Sequence, residues 1–145
     1  MFKHLLIATD GSPVGYKAVQ QGLEAARAFN AKVTIIKVTE MWSALDVAGR
    51  DALSKIETYE KGAADAAAVT LAKAKETADK AGVPCETIHV PDQGPAEGIV
   101  HTAEAKGCDM IVMGSHGRKG ISRVLIGSQA QKVLSMTNKT VMVCR

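Results

Sequence analysis

The 145-residue sequence is poor in aromatic residues, in cysteine and in long apolar runs. Aromatic side chains make up 3% of the chain, so its core must be built from Val, Ile, Leu, Ala and Met. The three cysteines form no C-x-x-C pair, which gives no metal or redox motif and is typical of reduced cytoplasmic thiols. No apolar run approaches the ~18 residues of a membrane span, and the first residues lack a signal-peptide pattern. We therefore expect a soluble cytoplasmic domain with no membrane partner.

Acidic residues are absent from the last quarter of the chain. Residues 110–145 contain six Lys and Arg residues and no Asp or Glu, whereas the preceding residues carry all 15 acids. A local basic field of this kind favours an anionic ligand. Composition alone leaves a nucleotide, a nucleic acid and an acidic protein partner open. A nucleic acid is the least favoured, because the basic segment contains no aromatic platform on which bases would stack.

Hydrophobic patterning predicts five strands that alternate with four helices. Short apolar runs predict strands at residues 4–9, 33–38, 85–90, 109–113 and 140–144. Capping and breaking residues predict a helix from residue 13 to about 29, a long helix that ends at Gly82, a third from Gly94 to Gly107, and a short one that begins at Ser128. The apolar spacing places Ala64 on the buried face of the long helix and Leu134 on that of the last.

This alternation predicts a single α/β domain over residues 1–145, with an open, twisted, five-stranded parallel sheet of order 3-2-1-4-5 and helices on both faces, in the Rossmann-like manner. In such a sheet, a ligand binds beyond the carboxyl ends of the strands where the strand order reverses. Strands one and four are neighbours at that point. The turn at Asp10, Gly11 and Ser12 and the loop that begins at Gly114 are therefore expected to face one crevice.

The glycines of the second loop suggest an anion site. Gly114-x-x-Gly117 is followed, nine residues later, by Gly127-Ser128, which is neither a Walker A loop nor a G-x-G-x-x-G turn. Gly114 and Gly117 could adopt positive φ values and let the backbone approach a ligand, and Gly127-Ser128 could present a helix N-terminus to a phosphate. A ligand-free alternative is a capping box formed by Ser128 and Gln131. These residues alone leave both interpretations open.

The same pattern resembles the G-2x-G-9x-G-[ST] motif of the universal stress protein family, in its ATP-binding branch. The stretch IATDGS at residues 7–12 resembles the first strand of that family and its acidic end, and DMIVMGSHG at residues 109–117 resembles the fourth strand. The C-terminal strand also fits. The resemblance extends over essentially the whole chain.

The resemblance implies a set of nucleotide-binding residues. Asp10 would hold the nucleoside, with Ala8 and Thr9 beside it, and Val38 would pack against the adenine. The ribose and phosphates would be held mainly by backbone N–H groups of Met113, Gly114, Ser115, His116, Gly117, Arg118, Lys119, Gly127, Ser128 and Gln129. The implied ligand is ATP, or AMP or ADP, with any Mg²⁺ carried in by the phosphates rather than held by a metal site of the protein.

The implied function is a nucleotide-dependent regulatory role in a stress response, with hydrolysis slow or absent. Two alternatives stay open: a nucleotide-free dimeric module that binds an unidentified protein partner, and a weak ATPase or autophosphorylating enzyme. His116 is a tempting general base, but the sequence offers it no evident orienting partner, and no catalytic residue is assigned. The last strand, residues 140–144, is expected at a sheet edge, and family members similarly pair this strand in a homodimer.

Overall fold

A computed structural model of the protein describes residues 1–40, 52–116 and 126–145. Strands and helices alternate along the chain, as predicted, and each strand agrees with its predicted bounds to within one residue. The elements are β1 (His4–Ala8), α1 (Pro13–Phe29), β2 (Lys32–Val38), α2 (Ala52–Ala81), β3 (Cys85–Val90), α3 (Pro95–Ala105), β4 (Met110–Gly114), α4 (Ser128–Met136) and β5 (Thr140–Cys144).

The five strands form one parallel sheet of order β3-β2-β1-β4-β5, which confirms the predicted order. β1 lies at its centre, and all five of its residues are buried. Ile7 is in register with Ile35 of β2 on one side and with Val112 of β4 on the other. The continuous apolar run of β1 thus follows from its burial on both faces of the sheet.

Helices cover the two faces of the sheet in pairs. α1 and α2 pack on the face that carries Leu5 and Ile35, and α3 and α4 pack on the face that carries Leu6 and Ile36. Successive strand residues point to opposite faces, so each strand contributes to both cores. No helix in the described part of the chain combines the length and the apolar character needed to cross a membrane.

Local signals explain where the helices begin and end. Ser12 caps α1, because its Oγ accepts a hydrogen bond from the N–H of Gly15 at 3.1 Å, and Pro13 occupies the first helical position. Asn30 ends α1 in the left-handed conformation, with φ of 55°. Gly82 has φ of 69° just after α2. The predicted boundaries of these two helices are therefore explained by cap residues.

Two predictions of buried helical residues are wrong. Leu134 is 45% exposed, and Ala64 is exposed as well. α4 has only nine residues and packs beside the edge of the sheet, so its buried stripe is limited to Ala130 and Val133. In α2 the buried stripe begins at Ala67, one turn later than the spacing predicted.

Candidate functional site

The carboxyl ends of β1 and β4 lie side by side, as the predicted strand order requires. A Cβ atom added to Gly114 would lie 2.7 Å from Cγ1 of Val14, so the beginning of α1 packs directly on the end of β4. The expected positive φ at Gly114 is wrong: among the described glycines, only three others have positive φ values. Gly114 is required for close packing against α1, not for a left-handed turn.

The turn after β1 is closed by its own side chains. Thr9 Oγ1 accepts a hydrogen bond from the N–H of Gly11 at 3.2 Å, and Asp10 Oδ1 accepts one from the N–H of Ser12 at 2.9 Å. Gly11 has φ of 81°, a conformation that suits glycine. Within the described residues, Oδ2 of Asp10 receives no hydrogen bond. One carboxylate oxygen thus shapes the turn, and the other is available to a ligand.

Gly15 is a residue of this site that the sequence analysis missed. A Cβ atom at this position would lie 2.7 Å from Oδ1 of Asp10 and 2.8 Å from Oγ1 of Thr9. The glycine therefore gives the two polar side chains room to fold over the first turn of α1. A glycine inside the first turn of a helix, where alanine is more stable, was the signal that could have identified it.

Ser115 joins the end of β4 to the beginning of α4. Its N–H donates to the carbonyl of Cys144 on β5, and its carbonyl accepts from the N–H of Gly127, both at 2.6 Å. Ser115 is 2% exposed. A Cβ atom on Gly127 would lie 2.7 Å from the carbonyl oxygen of Ser115. Glycine at 127 thus allows the start of α4 to lie against the end of β4.

α4 begins at an N-cap residue that makes no side-chain hydrogen bond. Gly127 is the N-cap residue, with extended backbone angles and no side chain to offer. The predicted capping box is therefore wrong: Ser128 is already helical, and Gln131 donates through Nε2 to the carbonyl of Ile126 at 3.0 Å. No described residue accepts from the N–H groups of Ser128 and Gln129. Donors of this kind, together with the dipole of the helix, are the features by which helix N-termini can bind anions.

The side chain of Gln129 points away from this terminus. Its Oε1 accepts from the N–H of Ala96 at 3.3 Å, in the first turn of α3, where the N-cap glycine provides no side-chain bond. A second tie between the two helices is the ion pair of Lys132 with Glu97. The hydrogen bond from Lys132 holds the pKa of Glu97 below its usual value. At the start of α4, Gln129 therefore presents only its backbone N–H.

The other predicted site residues are distributed around the same edge. Ala8 and Met113 are buried in the core on the α3 and α4 side, and Val38 packs against α3, where a Cβ on Gly98 would lie 2.8 Å from it. The ring nitrogen Nδ1 of His116 lies 2.9 Å from Oγ of Ser115, so this histidine has the partner that the sequence did not reveal. The remaining predicted features lie outside the described residues: Gly117, Arg118, Lys119, Arg123 and Trp42.

Two clefts lie elsewhere on the surface. One, of about 220 Å³, lies between the C-terminal ends of α1 and α2, at the amino ends of the strands. The other, of about 280 Å³, lies beyond β2 and β3 and is lined by Thr39, Tyr59 and His89 among others. Neither is lined by Asp10 or Gly127. Over the described ranges, no three His, Cys, Asp or Glu side chains approach closely enough to hold a metal ion.

Comparison with known proteins identifies a family for the whole chain. Residues 1–145 match the universal stress protein family. The universal stress protein MJ0531 of Methanocaldococcus jannaschii is 32% identical over 145 residues, which cover 100% of this chain and 83% of that protein. The universal stress protein YxiE of Bacillus subtilis is 29% identical over 152 residues, which cover 100% of this chain and 100% of that protein.

Solved structures show the same fold. The structure of MJ0577 superimposes with a TM-score of 0.83 at 26% identity, over 99% of this chain and 96% of that one. A universal stress protein in complex with cAMP has a TM-score of 0.69 at 22% identity, over 98% and 95% of the two chains. A universal stress protein from Archaeoglobus fulgidus in complex with dAMP has a TM-score of 0.66 at 20% identity, over 100% and 98%.

Proposed function

The chain belongs to the universal stress protein family, and from this premise we propose that it binds an adenine nucleotide at the carboxyl ends of β1 and β4. The bound state is the signal of a nucleotide-dependent regulatory module in a stress response, and hydrolysis is slow or absent. One observation carries this proposal: within the described residues, no group accepts from the N–H groups at the start of α4, which lies beside the end of β4.

The phosphate half of the site rests on backbone geometry and charge. The contact between Gly127 and Ser115 brings the N-terminus of α4 to the edge where β4 ends. Helix N-termini bind phosphate through their N–H groups and dipole. Residues 110–145 contain no Asp or Glu side chain to repel a polyphosphate. These features support a site in which Gly127, Ser128 and Gln129 hold the phosphates.

The nucleoside half rests on the turn after β1. Oδ1 of Asp10 is engaged by the N–H of Ser12, so its orientation is set before a ligand arrives. Oδ2 is then available to accept a hydrogen bond from a ribose hydroxyl or from the base. Ala8 and Thr9 border this position, and Val38 at the end of β2 offers an apolar surface to adenine. Preorganisation of this kind lowers the entropic cost of binding.

The proposed nucleotide is ATP, AMP or ADP. Two solved members of the family hold adenine nucleotides, cAMP in one and dAMP in the other. The remaining proposed contacts are made by Met113, Gly114, Ser115, His116, Gly117, Arg118 and Lys119. Mg²⁺, when present, enters with the phosphates, because its preferred ligands include phosphate oxygens and water.

The proposal extends to the state of the protein in the cell. We propose a cytoplasmic homodimer that pairs β5 with its counterpart, because β5 is the edge strand of the sheet and no strand among the described residues pairs with its outer side. Val141, Met142 and Val143 are only half-buried in the single chain. The dimer then presents the nucleotide-bound surface to a protein partner that the sequence does not identify.

The first test is thermal unfolding of nucleotide-free protein with and without millimolar MgATP. A ligand present at 100 times its Kd stabilises the folded state by about 2.7 kcal/mol, which corresponds to a rise in Tm of roughly 5–10 °C for a chain of this size. GTP and inorganic triphosphate separate adenine recognition from simple anion binding. An unchanged Tm with MgATP, combined with no nucleotide in the mass spectrum of the freshly purified protein, would contradict the proposal and favour a nucleotide-free interaction module.

Asp10→Asn sharpens this test. The amide oxygen can still accept from the N–H of Ser12, so the turn is kept while the charge and one carboxylate oxygen are lost. We expect this variant to fold normally and to lose most of the Tm rise with MgATP. Asp65→Asn is the matched control, because Asp65 is an exposed residue of α2. Phosphate release measured alongside distinguishes a binding module from an ATPase.

A further inference from the structure

Lys37 is a buried lysine at the carboxyl edge of the sheet. It is 8% exposed, although lysine is rarely buried unless its charge has a partner. It occupies the penultimate position of β2 and is in register with His89 of β3. On the other side, the N–H of Thr9 donates to the carbonyl of Ile36 at 3.0 Å, which continues the β1–β2 pairing up to Lys37.

The ammonium group of Lys37 reaches the turn after β1. Its Nζ donates to the backbone carbonyl of Asp10 at 3.4 Å. The Asp10 carboxylate is bound to the N–H of Ser12 at 2.9 Å. Residue 10 is therefore held at two points, through its carbonyl by β2 and through its side chain by the start of α1. Removing the ammonium would release one of these two restraints.

We propose that Lys37 is a positioning residue of the nucleotide site, which fixes the main chain of Asp10 and thereby aims its carboxylate at the nucleoside. This inference rests on the proposed function. It adds to the site a residue of β2 that does not itself contact the nucleotide. A buried charge is costly unless it is paired. The carbonyl of Asp10 is one of the partners of Lys37, so a contact that offsets this cost also holds the residue whose carboxylate is proposed to bind the nucleoside.

The test compares Lys37→Met with Lys32→Met, and Lys37→Arg serves as the conservative variant. Methionine keeps the long apolar stem and removes the ammonium, whereas Lys32 is an exposed residue at the opposite end of the same strand. Kd values are measured by titration calorimetry for ATP and for adenosine. We expect Lys37→Met to weaken the binding of both ligands about tenfold, because a misplaced Asp10 would lose its charge-assisted hydrogen bond to the nucleoside. Lys32→Met should bind as wild type, and Lys37→Arg should recover part of the loss.

A double-mutant cycle with Asp10→Asn tests whether Lys37 acts through Asp10. In the Asp10→Asn background, Lys37→Met should change the Kd for adenosine less than twofold. An equal tenfold loss in both backgrounds would overturn the inference, because Lys37 would then act independently of Asp10. A loss confined to ATP that disappears at high salt would also overturn it, because Lys37 would then act on the phosphates through its charge. If Lys37→Met does not fold, the same cycle is run with Lys37→Gln, which also removes the charge. Failure of the wild-type protein to bind any nucleotide refutes the proposed function itself, whereas normal binding by Lys37→Met refutes only the role of Lys37.

Discussion

Gly127→Ala is the substitution that probes most directly how α4 is placed. The new Cβ would lie 2.7 Å from the carbonyl oxygen of Ser115 and 3.4 Å from Cα of His116. Both are backbone atoms, which cannot rotate away as the end of a side chain can. The start of α4 must therefore move outward from the end of β4, and the 2.6 Å hydrogen bond from Gly127 to Ser115 must lengthen.

The expected magnitude follows from the crowding. Adding a methyl group to a packed position costs about 1–3 kcal/mol, which lowers the Tm by roughly 3–10 °C in a domain of this size. The displacement also carries the N–H groups of Ser128 and Gln129 away from the proposed phosphate position. We therefore expect Gly127→Ala to be less stable without ligand and to gain little or no Tm with MgATP.

Two other Gly→Ala substitutions separate the site from overall stability. At Gly22 in α1, a Cβ would lie 2.6 Å from Cδ1 of Ile7, so Gly22→Ala should destabilise the fold and still respond to MgATP. At Gly62 in α2, nothing lies within 4 Å, so Gly62→Ala should raise stability by about 0.5–1 kcal/mol through helix propensity. The reasoning would be refuted by a full MgATP response in Gly127→Ala, or by an equal loss of response in Gly22→Ala.

Two further predictions concern His4, at the amino end of β1, and the edge strand β5. His4 is buried, with Nε2 2.8 Å from Oγ1 of Thr34, and burial lowers its pKa below 6.5. The unfolded chain therefore binds more protons than the folded one, so the free energy of unfolding should fall as the pH drops from 7.5 to 5.5. Denaturant titrations of His4→Gln should show a weaker dependence of this free energy on pH. An identical slope in both proteins would exclude His4 as the source. For the edge strand β5, light scattering at micromolar concentration should give twice the mass of one chain, and Val141→Lys should give a monomer. The control Val69→Lys, at a 72% exposed position of α2, should remain dimeric. A monomeric wild-type protein would contradict the proposed dimer.

The sequence was sufficient for the fold because the signals agreed along the whole chain. Apolar runs of strand length were separated by helices with recognisable ends, such as Ser12 and Asn30, and strict alternation leaves few topologies other than a parallel sheet. The wrong predictions concern how much of the surface of a helix is buried. Leu134 has the right spacing for a buried face, but periodicity does not reveal that α4 lies beside an edge strand.

The site was predictable in its location and less so in its contacts. Strand order alone placed the turns after β1 and β4 together. The role of Lys37 could not be read from the sequence, because a lysine in a strand is usually solvated, and only the register of β1 with β2 brings its ammonium to Asp10. In the same way, the partner of Gln129 is a backbone N–H on another helix, 33 positions earlier in the chain.

The glycines of the motif support nucleotide binding less directly than their spacing suggests. Gly114 and Gly127 of the motif, like Gly15 at the start of α1, each lack a Cβ for a reason internal to the protein, namely contact with Val14, Ser115 and Asp10. This packing would require the same glycines whether or not the chain binds a nucleotide. The features that packing does not explain are Oδ2 of Asp10 and the N–H groups at the start of α4, which have no hydrogen-bond partner among the described residues. Variants that change those groups and preserve the packing, as Asp10→Asn does, therefore test nucleotide binding more stringently than substitution of the glycines.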